Sequence, residues 1–233
     1  MGRLSTACFI AAIVALSGCG DLSCPGSNPL RSSRSNAIAY LKKKAAEYES
    51  RPAAGDRTAR LGQIYYDLGM KYLEDGNWDQ AVASFEKSME YGKKSAAVHY
   101  YAAVSYANRG KELEREEDIR RAEYHYRQAT AINPDYLDAH YGLAILVYYE
   151  KGDTATGTGM MERIVARSRT YYRAQFALGK FYYEQGRPEK ALSVYESLHS
   201  ELEKKTGDSA LLKEYREQCA ENIRQLMKEL SGN

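Results

Sequence analysis

From residue 37 to residue 230, apolar positions recur every three or four residues, the spacing that keeps them on one face of an α-helix. Ile38, Leu41, Ala45 and Tyr48 form the first such stripe. Leu212, Tyr215, Cys219, Ile223, Leu226 and Leu230 form the last. No convincing alternation of period two interrupts them, so no sheet is expected and the fold class is all-α. The first helix is predicted over 37–49. The stretch RPAAGD at 51–56 breaks it, and Asp56 is placed to cap the next helix.

The pattern also repeats at long range. Leu68, Gly69, Tyr72, Gly76, Ala81 and Phe85 recur 110 residues later as Leu178, Gly179, Tyr182, Gly186, Ala191 and Tyr195. Two looser copies lie between: Ala102, Ala103, Tyr106, Gly110, Ala122, Tyr126, Ala129 and Pro134, then Leu143, Ala144, Val147, Gly152, Gly157, Met161 and Ile164. This arrangement resembles the tetratricopeptide repeat (TPR), a 34-residue helix–turn–helix unit. The resemblance implies a TPR-type solenoid of about four repeats, with an N-terminal helix and a C-terminal capping helix closing the ends. The repeats run over 62–95, 96–136, 137–171 and 172–208. Before them come an N-terminal helix and linker at 37–55, and after them a cap at 209–233. The second repeat carries seven extra residues, two helical turns, around KELEREEDIRR at 111–121. There Glu116–Arg120 and Glu117–Arg121 stand at i,i+4 with the acid first, the favourable order. The third repeat holds Gly157 and Gly159 in its second helix, and at ~1 kcal/mol each against alanine that helix is expected to be the weakest.

The N-terminus follows a different rule. Residues 7–16, ACFIAAIVAL, form an apolar run too short to span a bilayer, which needs ~20 residues. It suits the core of a secretory signal. The run ends in Leu16-Ser17-Gly18-Cys19, which resembles the lipobox of bacterial lipoproteins. That resemblance implies removal of 1–18, acylation of Cys19 and a membrane anchor through lipid. It places the body outside the cytoplasm, with an outer-membrane anchor facing the periplasm preferred. Gly20 separates Cys19 from Asp21, which leaves the choice of membrane open. Residues 20–36, rich in serine with two prolines, read as a flexible tether. Cys24 and Cys219 could pair, but Cys219 falls on the apolar stripe of the last helix and is expected as a buried thiol.

Charge and chemistry narrow the function. The formal net charge is +2, and +1 once Arg3 leaves, so nothing draws the chain to nucleic acid. None of His99, His125, His140 and His199 stands at a zinc-ligand spacing, and Gly92-Lys93-Lys94-Ser95 lacks the upstream glycine of a phosphate loop. No catalytic residue, metal site or cofactor is expected, and the chain reads as a binding module.

In the TPR family the first helix of each repeat lines a concave groove, and the resemblance carries that role here. The fifth residue of each repeat is Tyr66, Tyr100, Tyr141 and Phe176, an aromatic ladder. Met70, Val104, Ile145 and Lys180 follow in register, then Leu73, Ala107, Tyr148 and Tyr183. Arg173 and Lys180 are candidates to meet a carboxylate of the bound segment. The expected partner is an envelope protein or peptide segment. A small hydrophobic ligand of a transport system is the alternative, and stacking of the ends would allow a homo-oligomer.

Overall fold

The computed structural model describes residues 29–51, 55–207 and 209–232. Cys19, the signal-like run 1–18, Cys24 and most of the expected tether lie outside the described residues. Ten α-helices and no strand occur among those described. They fall into two compact units divided after Lys94.

The first unit holds α1 (Pro29–Glu49), α2 (Gly55–Glu74) and α3 (Trp78–Glu90). α1 begins eight residues before the predicted start, inside the stretch read as tether. Proline suits the first helical position because its missing N–H is unpaired there anyway. Arg34 adds a tertiary reason. Its guanidinium donates to the Glu74 carbonyl at the C-terminus of α2, at 3.1 Å, and lies 3.4 Å from Asp75. A cation at that end meets carbonyls that have no helical partner. Asp56 sits inside the first turn of α2, paired to Arg60, rather than preceding the helix. α2 and α3 form a tight hairpin. A Cβ on Gly69 would fall 2.6 Å from the Phe85 ring, so only glycine lets that ring seat there. Phe85 is fully buried, and Ser88 donates to the Gly62 carbonyl at 2.7 Å.

The second unit runs through α4 (Ala96–Glu112), α5 (Glu116–Ile132), α6 (Leu137–Tyr149), α7 (Thr154–Arg167), α8 (Tyr172–Glu184), α9 (Pro188–Glu203) and α10 (Ala210–Leu230). Side-chain caps open several of these helices. Ser95, Asp153 and Ser209 accept from the backbone N–H three residues on. α4 and α5 each run 17 residues against 13 for α6 and α8. Arg120 contacts Glu116 and Glu117, and Arg121 contacts Glu117. These pairs are exposed and contribute little. A different pair secures the hairpin. Arg109 on α4 makes a two-pronged bond to the buried Asp118 on α5, at 2.7 and 2.8 Å.

Two glycines of the repeats serve close packing. Gly110 aligns with the turn glycine Gly76 but is helical and buried, 2.9 Å (from an added Cβ) to Ile119. The lengthened hairpin turns at Glu114 instead. Gly157, costly by helix propensity, has a packing role too. A Cβ there would meet Tyr148 Cβ at 2.7 Å, so the glycine is what allows α7 to approach α6. At the other end α10 covers α9 with Tyr215, Cys219 and Leu226. The buried Cys219 thiol donates to the Tyr195 carbonyl, and burial pushes its pKa up to about 11. Arg216 reaches back to the Leu202 and Lys205 carbonyls at the end of α9.

Candidate functional site

Three of the fifth-position rings, Tyr66, Tyr100 and Phe176, pack on a ring from the second helix of their hairpin. In the second unit the half-buried Tyr100 on α4 lies 6.1 Å from the Tyr126 ring of α5, and Phe176 on α8 lies 6.1 Å from Tyr195 of α9. Tyr100 also meets Tyr101 and Tyr136 at 5.0 and 5.1 Å, and Phe176 meets Tyr215 at 5.7 Å. Tyr141 departs from the set. It is only 7% exposed, wedged edge-on to Tyr171 at 5.9 Å, with the Arg173 guanidinium 4.9 Å above its ring. In the first unit Tyr66 packs edge-on to Phe85 at 6.0 Å beneath the Lys93 ammonium, and Met70 is half-buried one turn on.

Tyr148 does not face an open groove. It is 5% exposed and stacks on Phe181 of α8, rings 3.6 Å apart and nearly parallel. Its hydroxyl donates to the Phe181 carbonyl. Spacing alone could not separate it from Tyr149, one residue on. Tyr149 is half-buried, and its hydroxyl reaches the Glu184 carboxylate at 3.0 Å. Lys180 lies 5.3 Å above the Tyr149 ring and 3.5 Å from Glu184. Tyr183 is 47% exposed and bonds Glu229 of α10, at the margin of the set.

A polar knot lies among the tyrosines. Asp138 on α6 accepts from the Tyr171 hydroxyl and sits 3.6 Å from the Arg173 guanidinium. Burial opposes the Arg173 charge, but Tyr171, Tyr141, Tyr100 and Asp138 around it outweigh this and raise its pKa. Burial, with Asp138 nearby, pushes the pKa of Tyr100 up to about 12, so its phenol stays neutral and able to donate. Asp138 and Arg173 are each the second residue of their repeat, and Tyr149 and Glu184 each the thirteenth. The repeat spacing singles out the fifth, ninth and twelfth positions together with Arg173, and does not reach Asp138, Tyr149 or Glu184. The opposite charges at one repeat position in successive repeats were the signal available.

The accessible residues of α4, α6 and α8 therefore make an aromatic and apolar face. Tyr100, Tyr101, Val104, Ile145, Tyr149 and Ala177 are half-buried, and the Asp138–Arg173 pair lies among them. Arg173 and Lys180 are both engaged with carboxylates of the chain itself, so neither is an open clamp for a partner's carboxylate. Three of the four histidines bond within the fold. His99 and His125 share one hydrogen between Nδ1 atoms 3.0 Å apart, and His140 bonds the Pro134 carbonyl. Among the described residues no group of three or more His, Cys, Asp or Glu side chains could hold a metal. No helix among them is long and apolar enough to cross a membrane.

Comparison with known proteins places this geometry. Two family models, both described as tetratricopeptide repeat, match residues 60–135 and 144–200. No curated protein matches the chain in sequence. Among solved structures, a thermophilic TPR protein of Thermus thermophilus, TTC0263, is 16% identical with a TM-score of 0.57, covering 82% of this chain and 98% of its own. The kinesin light chain TPR-like repeats of Podosopora anserina are 17% identical with a TM-score of 0.59, covering 73% and 87%. YrrB, described as a TPR protein with an unusual peptide-binding site, is 17% identical with a TM-score of 0.52, covering 71% and 79%. At these identities the likeness is one of fold.

Proposed function

The chain belongs to the tetratricopeptide repeat family, and from that membership we propose that it holds an extended segment of another protein on the face made by α4, α6 and α8. The observation that carries this reading is the half-buried run of Tyr100, Tyr101, Val104, Ile145, Tyr149 and Ala177. Rings of this kind bury much area for few rotatable bonds, which is why they are enriched where proteins bind. Asp138 gives the face one directional group. Its side chain is 40% exposed, so beyond Tyr171 and Arg173 it can accept from a backbone N–H or basic side chain of the segment. YrrB supports a peptide ligand by analogy of fold. Tyr66 and Met70 in the first unit offer a surface of similar chemistry.

The partner is an envelope protein, and the chain is held to a membrane through lipid on Cys19, facing the periplasm from the outer membrane. The support is the apolar run 7–16 and the Leu16-Ser17-Gly18-Cys19 sequence. With α1 beginning at Pro29, nine residues of sequence separate Cys19 from the first described helix. Cys19→Ser is expected to leave the protein unacylated and released from the membrane fraction. Retention of that variant in washed membranes would count against the anchor. For the face, Val104→Asp with Ile145→Asp is expected to leave the helical circular dichroism intact and to abolish partner capture in envelope extracts. Undiminished capture by that variant would remove the face from consideration.

A further inference from the structure

The first unit contains a cleft separate from the face just described. α1 and α3 flank α2 and leave between them a space of about 230 Å³. Ala45 and Leu68 supply an apolar floor, and Tyr65 and Tyr72 form its aromatic walls. Tyr72 is 6% exposed, and its hydroxyl is buried without a hydrogen-bond partner among the described residues. A buried hydroxyl left unpaired is costly, and in native structures such a group calls for an explanation. Two other polar groups of the cleft are already engaged. Ser84 donates to the Gln80 carbonyl, and Glu49 accepts from Tyr65 and Tyr91.

The charge balance of the cleft points to the missing group. Lys42 holds its ammonium 5.5 Å from the Tyr72 ring. Lys87 donates to the Tyr65 hydroxyl at 3.1 Å and lies 4.8 Å from that ring. Neither lysine has a carboxylate partner among the described residues, whereas the one carboxylate on the wall is held by two phenols. We propose that this cleft binds a small organic carboxylate with an apolar tail. The head group is drawn to Lys42 and Lys87 and accepts from the Tyr72 hydroxyl. The tail lies over Leu68 and Ala45. The volume falls below the ~300–1,000 Å³ of sites for drug-sized ligands, so a short chain fits and a long one does not.

The test is a titration of the full chain with sodium octanoate, followed by amide chemical shifts and by calorimetry. Saturable binding is expected, with shifts centred on Ala45, Ala46 and Leu68. Octan-1-ol, which lacks the charge, is expected to bind about tenfold more weakly, as loss of a charge-assisted contact implies. Tyr72→Phe should weaken octanoate severalfold while the unliganded protein melts no lower, because the orphaned hydroxyl is gone. Ala46→Trp, on an exposed helical position at the rim, should abolish the shifts. Shifts that do not saturate, equal affinity for the alcohol, or octanoate affinity unchanged in Tyr72→Phe or Ala46→Trp would each overturn the assignment.

Discussion

Glu114 is the only non-glycine with a left-handed backbone among the described residues, at φ 52°. In the other hairpins Gly76, Gly152 and Gly186 hold that turn at φ 67–69°. A side chain there is crowded by its own backbone. Glu114→Gly is therefore expected to raise the unfolding free energy by up to ~1 kcal/mol, read as a higher urea midpoint at unchanged slope. Tyr141 and Ile145 separate two residues that sequence pattern treats alike. Truncating the buried Tyr141 to alanine should cost ~3 kcal/mol or more, while Ile145→Ala on the half-buried face should cost clearly less. Urea denaturation of the two variants checks this. Spacings of three and four locate the stripe of a helix that is covered. They do not tell the part covered by the same protein from the part left for a partner. Tyr148 and Tyr149 show the point, since one residue decides between stacking on Phe181 and reaching Glu184.

At the scale of elements, helix identity and the repeat itself were readable because glycines, small residues and rings recur at fixed offsets. Helix beginnings were less so. The serine-rich stretch before residue 37 suggested a tether, yet α1 starts at Pro29 with Arg34 anchored on the end of α2, a contact 40 residues away in sequence. Gly157 likewise gained its meaning only from Tyr148 on the neighbouring helix. Gly157→Ala should destabilise by ~1–3 kcal/mol through that clash, although alanine is the better helix former, and a lowered melting temperature checks it. The α4–α5 hairpin adds a pH dependence. Burial, with His99 and Arg121 beside it, lowers the pKa of His125 to about 4. The unfolded chain then takes up a proton that the folded hairpin resists. Stability from this source is full above pH ~6.5 and declines as pH falls toward 4, by ~2 kcal/mol at pH 5. Thermal melts at pH 7 and pH 5 should show the drop, and His125→Gln should flatten it.

At the scale of the whole molecule, the two units carry distinct surfaces. The first holds a small cleft beside the Tyr72 phenol, and the second holds a broad aromatic face with one carboxylate–guanidinium pair. The all-helical repeat class followed from the pattern alone, and the absence of a catalytic constellation left binding as the expected work. The central claim is that the face of α4, α6 and α8 is where a partner segment lies. The most direct measurement replaces Val104, Ile145 or Ala177 singly with a photo-crosslinking residue in living cells. Arg163, exposed on α7, serves as the control. The account predicts one shared protein adduct from all three face positions and none from Arg163. The same adducts at equal yield from Arg163, or none from the face, would contradict it.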